Sequence, residues 1–246
     1  MVNNHFTFVV PTRNSSATLE QAMASVAYQS YKNWDMIVVD DASTDDTVDK
    51  LNEVCAKFNI DKDEKVKILQ NTERLWEVRN ILEALKYVKS DSIVCRLDLD
   101  DYLCDLNALE IINRAYNENE LLDAAWTSHR WYDSTGVTPN NISGHMPNGV
   151  DVYKFPWVSS HLKTFRKRLI EGMKDENFRG QDGEYFKRIG DQAIYLPVLH
   201  NSKRYAHLPF VAYAYYCDMS PATFQSDDAK FQKSEAEYLR HRGYIK

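Results

Sequence analysis

The stretch "SIVCRLDLDDYL", residues 92–103, changes character halfway along. Apolar Ile93 and Val94 are followed, after Cys95, Arg96 and Leu97, by Asp98, Asp100 and Asp101, three carboxylates in four positions. On an extended strand alternate residues share a face, so Asp98 and Asp100 are expected to point together while Asp101 turns away. Two like charges placed in this way repel, and without a cation or a proton between them one carboxyl must take a raised pKa. The stretch therefore reads as a buried strand whose carboxyl end is built to meet positive charge.

Working outward, four further runs read as strands: "FTFVV" from Phe6, "DMIVV" from Asp35, "VKIL" from Val66 and "DAAWTS" from Asp123. Between them Leu19, Met23, Val26 and Ala27, then Val48, Leu51, Cys55 and Phe58, then Leu75, Val78, Leu82 and Leu85 recur at helical spacing. Strands that are apolar throughout, alternating with helices, indicate an α/β fold with a mostly parallel sheet flanked by helices on both faces. Ligands of such sheets bind beyond the carboxyl ends of the strands. The tips there are "PTRN" from Pro11, "DDASTDD" from Asp40 and "DLDD" from Asp98, expected on one edge. Neither a GxGxxG fingerprint nor a GxxxxGK[ST] loop follows any strand, so a metal is the remaining common way to hold phosphates. Mg²⁺ and Mn²⁺ suit carboxylate and phosphate oxygens, and Asp98 and Asp100 are the candidate ligands. Of Asp40 and Asp41, one can cap the helix starting near Ser43, which leaves the other free to accept the imino N–H of a pyrimidine.

The chain has 246 residues, which suits one large domain, and a formal charge of −6, which gives no global attraction to nucleic acid or anionic membrane. Cys55, Cys95, Cys104 and Cys217 lie far apart with no metal-ligand spacing, so reduced thiols are expected. With no leader-like segment at Met1 and no run near the roughly 20 apolar residues of a membrane span, a soluble, cytoplasmic protein is expected (host cytoplasm for a phage protein). After about Gly136 the alternation fails. Residues 134–149 read as a mobile loop over the site, "SSHLKTFRKRLIEGM" from Ser159 as a helix, "PFVAYAYYC" from Pro209 as an aromatic strand, and "KFQKSEAEYLRHRGYI" from Lys230 as a closing helix stopped near Gly243.

The run from Phe8 through Thr47, followed by "RNILEALKYVKSDSIVCRLDLDD", resembles the nucleotide-sugar half of family 2 glycosyltransferases, which have the GT-A fold. The resemblance covers roughly the first 105 residues and implies a single domain, 1–246. Residues 1–105 would form its nucleotide-sugar half and 106–246 an acceptor-side elaboration carrying the base. It implies a nucleotide-diphosphate sugar donor, a UDP-sugar foremost, with Pro11, Thr12 and Asn14 near the nucleoside and Asp41 at the base, Asp40 beside it. Arg79 would approach the nucleotide, Asp98 would lie by the ribose or the metal, and Asp100 would ligate Mn²⁺ or Mg²⁺. The glycine-bearing segment usual just upstream of Arg79 is replaced here by "NTERLWEV".

The family places its catalytic carboxylate in an "ED" pair in the second half, and "FRGQDGEYFKRI" fits that place. Asp182 is the implied general base, Gln181 replaces the glutamate, and Glu184 is a possible substitute. The implied reaction is single displacement with inversion. His207 is a further candidate ligand for the metal. Trp131, Trp157, His161, Lys163 and Arg166 are candidates for the acceptor, which is either a glycan or a hydroxymethylated pyrimidine in DNA. The second option follows from "PWVSSHLKTFR", similar to bacteriophage glycosyltransferases, with its basic residues on the expected helix meeting phosphates. Two other readings compete. A haloacid-dehalogenase-type phosphatase shares the strand-end DxD, but Asp101 stands where it needs Thr or Val. A binding module for nucleotide sugars or nucleic acid would keep the fold without turnover.

Overall fold

In the computed structural model, residues 2–133, 136–138, 143–217 and 225–246 are described. The first half builds four parallel strands, β1 (Phe6–Thr12), β2 (Trp34–Asp40), β3 (Val66–Gln70) and β4 (Ile93–Arg96). They are joined by α1 (Leu19–Ala27), α2 (Thr47–Lys57), the single turn α3 (Lys62–Lys65) and α4 (Trp76–Leu85). β5 (Tyr102–Leu103), α5 (Ala108–Glu118), β6 (Ala124–Asp133), β7 (Gly136–Thr138), β8 (Lys163–Arg166), α6 (Gly190–Asn201), β9 (Tyr205–Tyr216) and α7 (Asp227–Arg242) follow. All strands join one sheet in the order β3-β2-β1-β4-β8-β6-β9-β5, with β7 on β6. The expected α/β sheet is present. Its longer ladders are parallel, and antiparallel pairs enter with β5, β7 and β8.

The side-chain period of two sorts β1 between two cores. Phe6, Phe8 and Val10 face a cluster with Leu19, Met23, Val26, Leu51 and Ile112, while Val9 joins Val78, Ile81, Trp126, Phe165 and Ile194 on the other face. Helices thus cover both faces, and the strand tips are left as the open edge.

Two expectations about the second half need correction. "HLKTFR" is not a surface helix: Lys163–Arg166 is β8, wedged between β4 and β6, with Lys163, Thr164 and Phe165 buried. A strand buried on both faces shows no polar alternation, and a lysine inside it looked like surface charge. In addition, α6 was not anticipated. From Ala193 to Leu199 every residue is buried, so no amphipathic period marks it, and Pro197 lies inside it. The closing helix is as expected, ending at Gly243 with φ +74°. Of the expected loop 134–149, residues 134–135 and 139–142 lie outside the described residues. Within its remainder Met146 is buried and the Gly144 carbonyl accepts from the Trp126 indole at 3.0 Å. Among the described residues, no helix is long and apolar enough to cross a membrane.

Candidate active site

A cleft of about 960 Å³ opens at the carboxyl ends of β1, β2 and β4, lined there by Pro11, Thr12, Asn14, Asp41, Asp98, Asp100 and Asp101. The three polar tips do share one edge. The first two are tied together: Asp41 N–H donates to the Thr12 carbonyl (2.8 Å), Thr44 N–H to Asn14 Oδ1 (2.8 Å), and the Arg13 guanidinium to the Asp41 carbonyl (2.9 Å). Asp40 faces inward and accepts from the Ser43 hydroxyl and N–H, so it closes the turn after β2 and is not a cleft residue.

Asp41 organises the "NTERLWEV" segment. Its carboxylate accepts from the Asn71 amide (3.0 Å), Leu75 N–H (2.6 Å) and Trp76 N–H (3.0 Å). Burial alone would raise its pKa, but these bonds and the Asn80 amide beside it hold it below the usual carboxylate range. The clamp fixes Trp76 at φ +66°, unfavourable for a bulky residue, and Arg74 stacks 3.5 Å from the centre of its ring. Arg13, Arg74 and Trp76 therefore line the cleft, whereas Arg79 lies exposed on α4 outside the lining. Helical spacing decides this: Asn80, one residue on, points to the cleft and is buried.

The acidic tip is a turn. β4 ends at Arg96 and Asp101 N–H donates to the Asp98 carbonyl at 3.2 Å, so the strand alternation expected for Asp98, Asp100 and Asp101 does not apply. The turn folds Asp101 back toward Asp98, and oxygens of both lie within 4.8 Å of a ring nitrogen of His161. Asp101 accepts from the Tyr213 hydroxyl (2.8 Å) and Tyr216 N–H (2.7 Å). Burial and the Asp98 charge push Asp100 up to about 6, and burial with the Asp100 and Asp98 charges raises Asp101 well above the usual carboxylate range. The anticipated crowding of negative charge is thus real. The oxygen donors that converge are Asp98 and Asp101, not the expected pair Asp98 and Asp100, and they fit a hard dication, which would relieve that repulsion.

The histidine at this rim is His161, held between Tyr213 and Tyr215 with ring centroids at 4.7 and 4.6 Å. His207, the expected ligand, instead contacts Ser128 Oγ (3.0 Å) and stacks on Trp126, outside the cleft lining. Burial and the nearby Lys163 ammonium hold His161 well below its usual pKa, so it is neutral.

Asp182 and Glu184 also fall outside the cleft lining. They sit in an exposed tight turn closed by Gly180 N–H to the Glu184 carbonyl (2.7 Å), with Gly183 at φ +79°. The second-half carboxylate that does line the cleft is Asp191, in the first turn of α6, and the "IGDQ" that carries it was passed over because α6 lacks a period. Lys163 Nζ lies 2.7 Å and His161 Nε2 3.6 Å from the Asp191 carboxylate. Burial would raise its pKa, but the Lys163 charge and the lysine's hydrogen bond hold it well below the usual range. Lys163 is thus a buried partner of Asp191. Arg166 donates to the Leu122 carbonyl (3.0 Å), and Arg168 pairs with Asp123, so the expected basic helix at this place does not form. Trp131 and Trp157 line the cleft with Tyr215 and Tyr216.

Comparison with known proteins agrees with this geometry. The glucosyltransferase WfgD of Escherichia coli, named for UDP-Glc and a GlcNAc-diphosphoundecaprenol, is 32% identical over 93 residues, 38% of this chain and 34% of that protein. The chain spans about a third of the length of the curated relatives it matches. Staphylococcus aureus TarS 1-349 in complex with UDP-GlcNAc superposes with a TM-score of 0.65 at 21% identity, over 96% of this chain and 72% of that one. The mannosyltransferase PcManGT from Pyrobaculum calidifontis, in complex with GDP-Man and Mn²⁺, gives 0.66 at 16%, over 98% and 65%. These two show the shared fold. The family model described as glycosyl transferase family 2 matches residues 7–190, three quarters of the sequence, and with it the phosphatase reading lapses: the chain belongs to glycosyl transferase family 2.

Proposed function

We propose that the protein transfers a sugar from a nucleotide-diphosphate sugar, preferentially a UDP-sugar, to an acceptor hydroxyl by single displacement with inversion, with Asp191 in place of Asp182 as general base. The observation that carries this reading is that one cleft is lined both by the acidic tip of β4 and by Asp191. Asp41 lines the cleft, and its carboxylate is the acceptor we assign to a pyrimidine imino N–H. Arg13 and Arg74 bring positive charge to the same end of the cleft, where a diphosphate needs it.

Asp98 and Asp101, with His161 beside them and Asp100 on the same turn, would hold Mn²⁺ or Mg²⁺, which when bound neutralises charge on a departing diphosphate. Asp191 is ionised at neutral pH, as a base must be, and its weakness matters less than its placement because the acceptor proton leaves while the new bond forms. Trp131, Trp157 and Tyr215 offer ring faces to a sugar, so a glycan acceptor fits the cleft.

The test is a panel of nucleotide sugars with glycan acceptors, with Mn²⁺ or EDTA, read by UDP release and product mass. Metal-dependent transfer is expected, and Asp191→Asn should lower turnover about 100- to 10,000-fold with UDP affinity retained. Asp182→Asn should stay within about threefold, since exposed positions away from a site are usually near neutral. Binding of UDP without turnover would favour the non-catalytic module.

A further inference from the structure

Gly190 opens α6, and its φ is not in the left-handed region, so no backbone strain calls for glycine there. What calls for it is space. A methyl group on Gly190 would fall on the carboxyl group of Glu77, which comes from the first turn of α4. Glycine at a helical position is otherwise unfavourable by roughly 0.5–1 kcal/mol relative to alanine. The chain therefore leaves a side-chain volume empty at the start of the helix that bears Asp191, and a carboxylate from another element fills it.

The same carboxylate reaches the opposite wall. Arg96, 4% exposed at its side chain, donates from one terminal nitrogen to Glu77 (3.0 Å) and to Asp98 (3.0 Å), and from the other to the Val9 carbonyl. Arg96 thus ties Glu77, whose carboxyl lies against Gly190 of α6, to Asp98 at the acidic tip of β4. Burial and the Asp98 and Asp191 charges push the Glu77 carboxyl up to about 7, against the opposing Arg96 guanidinium.

We propose that Glu77 is a positioning residue of the transfer reaction. Housed in the volume vacated by Gly190, it holds Arg96 against Asp98 and keeps the first turn of α6 in place. The rim that receives the donor and the base that faces the acceptor thereby keep a fixed separation. This rests on the reading of Asp98 and Asp191 given above.

The experiment transposes the carboxylate. Turnover is read as UDP release from UDP-GlcNAc with Mn²⁺, donor-side binding as calorimetric affinity for UDP with Mn²⁺, and stability as Tm. Glu77→Ala should lower kcat/KM about 100-fold, the order expected of a displacement near 1 Å. Glu77→Ala with Gly190→Asp or Gly190→Glu should recover to within about tenfold of the parent by the same scale. Glu77→Ala with Gly190→Ala refills the volume without charge. It should be at least as stable as Glu77→Ala, because the glycine is gone, yet remain as slow. Equal turnover of the alanine and carboxylate double variants, or a Glu77→Ala protein within about threefold of the parent, would overturn the assignment of Glu77. A parent that releases no UDP would instead refute the functional reading on which it stands.

Discussion

At the scale of single residues, the site depends on charges that are buried only because a partner meets them. Lys163 is 1% exposed and stays in β8 because Asp191 lies 2.7 Å away. Asp191 has a depressed folded-state pKa, so its stabilising contribution is present above its unfolded value and lost as pH falls through the folded one. Replacing Lys163 by Met removes the main cause of the depression. The expected outcome is a loss of about 2–4 kcal/mol at neutral pH by denaturant titration, below the full cost for a buried pair because part of Asp191 meets solvent. The acid limb of the rate profile should move to higher pH. An unchanged profile would mean that Asp191 is not the base. The sequence made the acidic tip legible because three aspartates after an apolar run have few structural explanations. Lys163, His161 and Asp191 were not legible as a group, because they are brought together from β8 and α6 by the fold and share no local spacing.

At the scale of elements, the parallel half was readable because each strand is apolar throughout and each helix has one apolar face, as in α4 with Val78, Ile81 and Leu85 buried. The second half was not, because its central pieces, β8 and α6, are enclosed on all sides and patterning vanishes where there is no solvent side. The segment before α4 illustrates how one carboxylate can set an element's start. Leu75, the residue before α4, and Trp76, its first, both donate to Asp41, which thereby supplies the cap that no side chain of its own segment provides. Asp41→Ala is expected to cost about 2–3 kcal/mol, as three charge-assisted bonds are lost and three N–H groups lose their acceptor. Calorimetry should show a drop of roughly 5–10 °C in Tm. UDP affinity should fall with it, since Arg74 and Trp76 lose their fixed placement. Wild-type affinity with a lowered Tm would confine Asp41 to a structural role.

At the scale of the whole molecule, the chain closes its cleft with its last helix. Ala229, Gln232, Lys233 and Ala236 of α7 line the cleft, yet Leu239 is the one residue buried in that helix. Apolar burial therefore contributes little to docking its amino half, and polar contacts carry it. Glu235 accepts from Lys187 N–H (2.9 Å) and Arg188 N–H (2.8 Å), Arg188 pairs with Asp228, and Gln232 donates to the Arg188 carbonyl (2.9 Å). The segment so held leads within three residues to Asp191, so a helix some 40 residues further on fixes the approach to the proposed base. Glu235→Ala should leave the core intact, with a stability loss of about 1–3 kcal/mol, while turnover falls about tenfold from a slackened base. Hydrogen exchange supplies the discriminating measurement. Faster exchange is expected at residues 187–191 and along the amino half of α7, with β1 and β4 unchanged, because local opening follows the contacts removed. Uniformly faster exchange across the sheet would instead show that α7 supports the whole fold.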